Sequence, residues 1–505
     1  MKRLTFLLLS CLAWAPGFGN EYDVRAFGAP SDGRNLATTQ IQKAIDCCHE
    51  AGGGVVRVPT GVYLVGTLNL RSNVEFRMET GAELRATLDL TQYQRHNREL
   101  AGIFYTENAS NVSITGNGLI NGRGMEFMIP GKAKVIGDDQ RSQTRQGLSF
   151  RKVIDGGLGD GPLYPKERYH QMIIFSNCTD VTLRDFKCVD SPYWCFLIVH
   201  CDGVTIDGLR IDNNLLIPNS DGVDVISSSN VNIDNCFFKC GDDALVLAGY
   251  GEHHGDPGFK GILKPSTNIN VANCILQSRS SGIRIGGHDQ NPMSNYNFSN
   301  ITIYDSNRGI NISVSDSCSL ENLTFTNIRI ETRLHTGDWW GQGEPINMTA
   351  MVLVPEKQQL GVIRNVYFNN ITCVGENSVV MIADKQTQLQ NIYFSNFEFK
   401  LRKSALEEIA GGNYDLRLNV NPKRELYAAD VPVFYIENAR NIFFNQGTIE
   451  WLGADMPYHT YAIDAVKVDN LKLDNMTAAP SPAHPKYPAV RTRDCKRVAN
   501  HSNRN

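Results

Sequence analysis

The chain lacks three features that would assign it to other classes of protein. After its first 20 residues, no uninterrupted apolar run approaches the ~18 residues of a transmembrane helix, so no membrane span is expected. None of its cysteines shows the paired CxxC spacing of a zinc site. It also has no excess of basic residues, with 49 Lys and Arg against 53 Asp and Glu, so nothing points to a nucleic-acid partner. What remains is a globular chain of 505 residues, 42% hydrophobic and 20% charged.

The first 19 residues predict a secretory signal. Lys2 and Arg3 precede an apolar run, and small residues stand before an expected cut after Gly19. Lipid anchoring at Cys11 is the less favoured alternative, because it leaves a very short apolar core. We therefore expect an exported protein, periplasmic or extracellular. Removing Lys2 and Arg3 leaves 47 basic against 53 acidic residues, a net charge of −6. Twelve cysteines also remain, read as stacked core thiols, with disulfide pairing left open.

A short unit recurs along the chain, in which a polar residue precedes an apolar strand of period two. Examples are "SNVSI", "TDVTL", "SNVNI", "TNINV" and "ENLTF". The pattern predicts a right-handed parallel β-helix, an all-β solenoid with one coil per ~22–30 residues, and it excludes helical repeats. Asn at the turn of each unit suits a left-handed backbone and can stack into a ladder. The equivalent turn positions are read as Asp180, Gly203, Asn230, Asn268, Asn300, Asn322, Asn365 and Asn391.

One segment, 36–54, predicts a helix instead of a strand. Apolar residues recur on one helical face, Thr38 or Thr39 is the expected N-cap, and a run of glycines from Gly52 ends the segment. A solenoid needs its open end covered, so this helix is expected to cap the first coil. Residues 20–505 are then one catalytic domain, expected to be monomeric. The polar insertions 124–170 and 401–430 are predicted to be loops beside a cleft or beside the C-terminal coils.

Three aspartates stand one coil apart among β-forming residues. "NSDGVDV" contains Asp221, and "GDDALVL" contains Asp242 and Asp243, 21 and 22 residues later. Adjacent coils lie ~4.8 Å apart, so the three carboxylates should meet on one exposed cleft, and one pKa should rise. A protonated acid beside ionised carboxylates is what glycosidic cleavage requires. A calcium site or Asx-turns at the coil corners are the structural alternatives.

Longer stretches around these residues resemble glycoside hydrolase family 28, the pectinases. The resemblance lies in "FGAPSDGRN", "NVSITGNGLINGRG", "SPYW", "PNSDGVDVISSSNVNI" and "CGDDALVLAG", and extends from about residue 24 to 312. It implies a parallel β-helix that hydrolyses pectin with inversion, without metal or other cofactor. It further implies that Asp242 is the general acid, that Asp221 and Asp243 hold and deprotonate water, and that Asn219 orients substrate or Asp243.

The chain departs from that family at the positions that recognise substrate. Ser281 stands where polygalacturonases have a histidine, and "GINIS" places Asn311 and Ser313 where they have an Arg-x-Lys. Neither side chain can replace a guanidinium in binding a carboxylate. The departures therefore predict a neutral sugar at that subsite, and rhamnogalacturonan in preference to polygalacturonate.

Four other residues are candidates for substrate binding. Arg284 is expected to point outward, where it binds a substrate carboxylate, holds an aspartate ionised, or pairs with a local acid. His288 is a candidate for the role of the missing histidine. Trp339 and Trp340, adjacent in "HTGDWWGQGEP", are either a sugar-stacking platform or a packed loop, whereas Trp194 of "SPYW" is expected in the core.

The sequence thus predicts a pectin-type glycosidase acting on a polysaccharide or oligosaccharide. An exo-acting glycosidase on another glycan is the second hypothesis. A polysaccharide lyase or a non-catalytic glycan-binding solenoid is a third, disfavoured because Arg284 is the one cationic base in view and because a binding module needs no Asp pair.

Overall fold

The computed structural model describes residues 20–96, 99–153, 157–251, 262–352, 359–417 and 421–501. The predicted signal, residues 1–19, and its alternative at Cys11 lie outside these residues. In the described part, no helix is both long and apolar enough to cross a membrane. The twelve described cysteines are all free thiols, ten of them buried.

The predicted right-handed parallel β-helix is confirmed. Each coil contributes strands to two extended parallel sheets. Each strand pairs in parallel with the equivalent strand of the next coil, so that residues one coil apart lie side by side. Sheet A has 23 strands and sheet B has 13, and their inward side chains meet in one core. Sheet B carries the three aspartates. Its strands are Arg95–His96, Glu99–Glu107, Gln171–Ser176, Phe196–Val199, Val223–Ile226, Leu245–Ala248, Ser281–Gly287, Arg308–Val314, Ile346–Ala350, Val379–Ala383, Phe434–Glu437, Ile463–Val466 and Val490–Arg493.

Sheet A forms the other walls of the solenoid. From residue 293 onward, two shorter strands of each coil merge into one long bent strand. The sheet A strands are Glu21–Asp23, Asp32–Leu36, Gly54–Val58, Gly61–Val65, Val74–Met78, Ala82–Ala86, Ser110–Thr115, Leu119–Asn121, Thr179–Arg184, Lys187–Val189, Asp202–Asp207, Arg210–Asp212, Ser229–Asp234, Phe237–Cys240, Ser266–Ala272, Ile275–Ser278, Met293–Ser306, Ser319–Thr332, Val362–Gly375, Leu389–Arg402, Arg440–Leu452, Asp469–Ala478 and Lys496–His501.

Asparagine ladders run along the turns, as the repeat predicted, but one position in the predicted series is wrong. Asn268 donates to Asn230 at 3.1 Å, and the next member is Asn295, not Asn300. Asn300 belongs to a second ladder, where it donates to Asn273 at 3.2 Å. The error arose because four of the long strands have two Asn turns five residues apart, all with φ of +50° to +61°: Met293–Ser306, Ser319–Thr332, Val362–Gly375 and Leu389–Arg402. In the core, phenylalanines of successive coils stack with 4.6–5.0 Å between ring centroids: Phe298, Phe325, Phe368, Phe394 and Phe444.

The predicted capping helix is present as Thr38–Glu50. Its apolar face is buried against the first coil, at Ile41, Ala44, Ile45 and Cys48. The predicted N-cap is wrong, because the cap is Ala37, and the Thr38 hydroxyl accepts instead from the backbone N–H of Gly66 at 2.9 Å.

The insertions contain short elements of their own. Two antiparallel pairs join Met128–Ala133 with Leu163–Pro165 and Asn413–Asp415 with Leu426–Ala428. The helical turns of the chain outside the cap are Val24–Phe27, Leu90–Gln92, Gly124–Phe127, Asp138–Arg141, Gly147–Ser149, Glu407–Ala410 and Pro422–Arg424.

Candidate active site

The three aspartates meet where strands of sheet B begin. Val223 pairs with Leu245, so Asp221 and Asp243, two residues before them, are neighbours on adjacent coils. One oxygen from each of Asp221, Asp242 and Asp243 lies within 4.8 Å of the others. The predicted convergence is therefore present.

A glycine lets both members of the Asp pair reach the same side. A Cβ at Gly241 would lie 2.2 Å from the carbonyl oxygen of Ile217, so no larger residue fits there. The backbone bends at this point, and the Asp243 N–H donates to Asp242 Oδ1 at 3.1 Å. The bend replaces the strand alternation that would otherwise turn the two carboxylates to opposite faces.

The carboxylates are more buried than an exposed cleft implies. Asp221, Asp242 and Asp243 are 3%, 6% and 5% exposed. Burial, followed by the nearby charge of Asp243, raises the pKa of Asp242 to about 7. Burial and then the charge of Asp242 raise the pKa of Asp221 well above its usual range. A cluster of this kind holds at least one proton near neutral pH, although three oxygens at this spacing are also compatible with a cation.

Arg284 lies one coil beyond the Asp pair. Its strand keeps the predicted alternation, since Ile283 and Ile285 are fully buried and Arg284 faces outward. Its Nη1 lies 3.6 Å from Asp243 Oδ2, and its Nη2 donates to the Tyr250 hydroxyl at 3.1 Å. Of the three roles considered above, this geometry favours pairing with a local acid, and that acid is a member of the triad.

Backbone and amide groups hold the cluster from two other sides. The Ser281 N–H donates to Asp243 Oδ1 at 2.8 Å, so Ser281 contributes its main chain where the family has a histidine side chain. Asn219, in a left-handed conformation at φ 57°, accepts from Arg168 Nη2 at 3.1 Å. Arg168 also lies 4.8 Å from the Tyr193 ring, on the opposite flank from Arg284.

The triad opens into a cavity of about 230 Å³. Three aromatic residues and three arginines line it, together with amide and hydroxyl side chains of the neighbouring strands. The lining residues are Tyr193, Trp194, Asn219, Asp221, Asp242, Asp243, Ser280, Ser281, Arg284, Gly287, Arg308, Asn311, Ser313, Val314, Ser315, Trp340, Asn347, Thr349, Met351, Leu416 and Arg417.

The loop 333–345 and the 401–430 insertion supply residues to the far wall of the cavity, and the 124–170 insertion contacts both of them but contributes no described residue to the lining. The 124–170 insertion reaches the loop 333–345 through Arg151, which donates to the carbonyl oxygen of Trp339 at 2.7 Å. It reaches the 401–430 insertion through Arg145, whose N–H donates to Asn413 Oδ1 at 2.8 Å. The Gly341 N–H closes the set by donating to Asp415 Oδ2 at 2.8 Å. We call these three segments the loop wall.

Several predicted substrate-binding residues are placed differently from expectation. Trp339 is 2% exposed, donates to the Asp160 carbonyl oxygen, and does not line the cavity; its neighbour Trp340 does. His288 also lies outside the cavity lining, so it does not take the place of the missing histidine. Trp194 is only partly buried and lines the cavity, so its expected core position is wrong. Asn311 lines the cavity and accepts from Asn347 at 2.8 Å.

Two cavity arginines escaped sequence reasoning. Arg308 stands two and four residues before the inward-facing Ile310 and Ile312, so strand alternation predicts that its side chain also points into the core. Arg417 lies in an insertion without a repeat register, so no spacing locates it. Once the coil boundaries are known, Arg308 can be located by its register, because it pairs with Ser281 on the previous coil. Register gives no such information for Arg417.

Asp224 was also missed, although it is a neighbour of the triad. It is 1% exposed, and its Oδ2 has no hydrogen-bond partner among the described residues. Burial raises its pKa well above the usual range of a carboxyl, and the nearby Arg284 opposes that shift. It does not line the cavity, but its register places it in the same row as Arg284, and its charge adds to burial and to the charge of Asp242 in raising the pKa of Asp221.

The chain matches known proteins in sequence and in fold. The family model described as "Glycosyl hydrolases family 28" matches residues 48–405. An exopolygalacturonase of Zea mays is 24% identical over 319 residues, which cover 57% of this chain and 70% of the maize protein. An exo-poly-alpha-D-galacturonosidase of Dickeya chrysanthemi is 22% identical over 294 residues, covering 53% of this chain and 47% of that protein.

Two solved structures have the same fold. The family 28 exopolygalacturonase of Yersinia enterocolitica superposes with a TM-score of 0.64 at 18% identity, over 90% of this chain and 78% of that one. A hyperthermoactive exopolygalacturonase from Thermotoga maritima gives 0.56 at 21% identity, over 76% and 87%.

Proposed function

The chain belongs to glycosyl hydrolases family 28 and is a glycoside hydrolase, and from this premise we propose that it removes galacturonate sugars from one end of a pectin chain. The observation that carries the substrate class is the charge of the cavity lining. Among the described residues that line it, every cation is an arginine, and the acids are the triad alone. Arginine is the side chain that best recognises a carboxylate, because its planar fork matches the two oxygens.

This proposal revises the preference for rhamnogalacturonan. That preference depended on the neutral side chains Asn311 and Ser313, which leave the subsite without a cation. Arg308 and Arg417 line the same cavity from other positions, which supports an acidic substrate although Asn311 and Ser313 are neutral. The relatives named above are also described as acting on polygalacturonate.

Exo action is supported by the loop wall and by the size of the cavity. At about 230 Å³ the cavity is smaller than the ~300–1,000 Å³ of a typical small-molecule site, which suits a chain end better than a continuous polymer. Trp340, Leu416 and Arg417 of the loop wall bound it on one side. The relatives from maize, Dickeya, Yersinia and Thermotoga all have names that describe exo-acting enzymes.

In the proposed mechanism the three aspartates divide the work by their surroundings. Asp242 keeps its proton because its pKa is raised to about 7, by burial first and then by the charge of Asp243, and it protonates the leaving oxygen. Arg284 pairs with Asp243, which takes the proton of the attacking water, and Asp221, whose pKa burial raises well above its usual range, helps to orient that water. We propose inversion, as the family resemblance implies, although oxygens within 4.8 Å are closer than the ~6.5–9.5 Å usual for inverting pairs.

Product analysis tests this function. With oligogalacturonates of one length and detection of every product, we expect a single short product from the earliest times, a substrate that shortens by the size of that product, and slow loss of polymer viscosity. Early products of many intermediate sizes with a rapid fall in viscosity would indicate endo action, and a product that absorbs ultraviolet light would indicate a lyase. Proton NMR of the first turnover reads the anomeric configuration directly.

Rhamnogalacturonan remains a second candidate substrate because of one observation. The strand Arg308–Val314 and its neighbour present Asn311, Ser313 and Asn347 to the cavity, and these neutral groups suit the hydroxyls of an uncharged sugar. Cleavage of rhamnogalacturonan with no action on polygalacturonate would favour it over the first proposal.

The raised pKa of Asp242 gives a prediction for the pH profile. If Asp242 is the proton donor, the active fraction falls as the pH rises through about 7, the value to which burial and the neighbouring Asp243 raise its pKa. We expect the basic limb of kcat/KM to lie near pH 7. Undiminished activity to pH 9, in enzyme whose fold is intact by circular dichroism, would contradict this assignment.

A further inference from the structure

We propose that Arg308 is the specificity-determining residue of this site, and that it binds the carboxylate of a uronate sugar adjacent to the scissile bond. The inference rests on the proposed action on galacturonan. It assigns the carboxylate-binding role to a residue that the sequence pattern places in the core.

The position of Arg308 follows from strand register. Asp221, Asp243, Ser281 and Arg308 occupy equivalent places on four successive coils, because their strands pair in that order. Arg308 therefore lies two coils, ~10 Å, beyond Asp243 along the solenoid axis. This distance places its guanidinium beside a neighbouring sugar and away from the bond that the triad breaks.

The hydrogen bonds of Arg308 leave one donor group for a ligand. Its Nη2 donates to the carbonyl oxygen of Asp415 at 2.7 Å, and its Nε lies 3.4 Å from Glu344 Oε2. No hydrogen bond of its Nη1 occurs among the described residues. Arg308 lines the cavity, while Glu344 is fully buried and does not. Arg308, 3% exposed, thus borders the cavity, and its acidic partner does not.

The other two cavity arginines are less available. Arg284 is beside Asp243 and also donates to Tyr250. Arg417 donates from Nε and Nη2 to both oxygens of Asp415, and its Nη1 lies 3.5 Å from Asp338 Oδ1. Its guanidinium also covers the Trp340 ring at 4.6 Å. Arg417 therefore serves chiefly to hold the loop wall together.

The loop wall also fixes Arg308 before substrate arrives. Asp415, whose carbonyl oxygen accepts from Arg308, is itself held by the Gly341 N–H at 2.8 Å. An arginine immobilised in the folded protein loses little further side-chain entropy on binding. A carboxylate at Nη1 would then form a charge-assisted hydrogen bond without having to order the side chain.

The test compares free-acid and methyl-esterified oligogalacturonates of equal length. We expect the wild type to prefer the free acid, and Arg308→Gln to lose roughly 10- to 100-fold in kcat/KM on the acid, mainly through KM, while changing little on the ester. The preference for the acid should therefore collapse. If Arg308 had a purely structural role, the substitution would lower kcat/KM on both substrates together. Arg364→Gln is the control, since Arg364 pairs with Glu321 at 2.7 Å on exposed sheet A, far from the cavity.

A second variant covers the case in which Arg308→Gln fails to fold because the buried Glu344 carboxylate has lost its cationic partner. The double variant Arg308→Gln/Glu344→Gln removes both charges of the pair and should show the same collapse of the acid-to-ester ratio. A ratio unchanged from wild type in either folded variant overturns the role of Arg308 while leaving the proposed function in place. A wild type inactive on every galacturonan overturns the proposed function itself, and this inference with it.

Discussion

Replacing Asp242 by Asn should reduce turnover by roughly 10²–10⁴-fold, the usual contribution of a positioned proton donor. Asn has nearly the same shape but cannot donate a proton of suitable acidity to the leaving oxygen. The measurement is kcat on the best galacturonan substrate, with Asp202→Asn as the matched control. Asp202 accepts from Asn230 at 2.7 Å in a ladder on sheet A, and an amide oxygen can replace that acceptor. Turnover within tenfold of wild type would remove Asp242 from the mechanism.

The same substitution should not destabilise the fold. The pKa of Asp242 is about 7 in the folded protein, raised first by burial, and ~3.9 in the unfolded chain, so the folded state binds the proton more tightly. Stability is therefore lost as the pH rises from about 4 to 7, and Asn does not incur this loss. We expect the melting temperature of the variant to equal that of wild type near pH 4 and to exceed it at pH 8. A lower melting temperature at pH 8 would show that Asp242 has a structural role.

Arg284→Gln should lower kcat roughly 10- to 100-fold on every substrate, whatever its charge. Arg284 faces Asp243 across 3.6 Å and opposes the rise in the pKa of Asp221 and Asp242 that burial produces. Without the guanidinium both pKa values rise further, so the basic limb of the pH–rate profile, which Asp242 sets as proton donor, should move to higher pH. The profile of kcat/KM from pH 3 to 9 measures this shift directly.

The outcome for Arg284 separates two roles. A loss confined to KM on uronate substrates, with the pH profile unmoved, would mean that Arg284 binds substrate and does not support the triad. Tyr250→Phe is the companion variant, because it removes the hydroxyl that Nη2 contacts and leaves the guanidinium in place. We expect it to lower kcat in the same direction and by less.

The coils were predictable because each one repeats the same constraint. Period-two apolar residues must face one core, and a turn at φ near +60° favours Asn or Gly, so strands, ladders and the meeting of the three aspartates follow from spacing alone. The misplaced Asn300 shows the limit of this reasoning, since two Asn turns per coil satisfy the same local rule. Register between coils, which the sequence does not state, decides between them.

The loop wall was not predictable in this way. Its contacts join residues with no shared period, such as Arg151 with the Trp339 carbonyl or Arg145 with Asn413. The "WW" pair illustrates the consequence, because only tertiary packing decides that Trp339 is buried and Trp340 reaches the cavity. The substrate preference inferred from Asn311 and Ser313 could not take this wall into account, because Arg417 lies 106 residues beyond Asn311, in an insertion without a repeat register.

The loop wall also has a consequence for how this protein is made. The triad and Arg284 are complete once the chain has been synthesised to residue 284, and consecutive coils stack by contacts only tens of residues apart. The hydrogen bond from Arg145 to Asn413 spans 268 residues, and so must wait until residue 413 has emerged. The three aspartates therefore meet early, while the loop wall closes later. A folding intermediate halted before the final coils would expose an open groove with its aspartates in place, and limited proteolysis during refolding should find the 124–170 insertion cleavable until residues near 413 have docked.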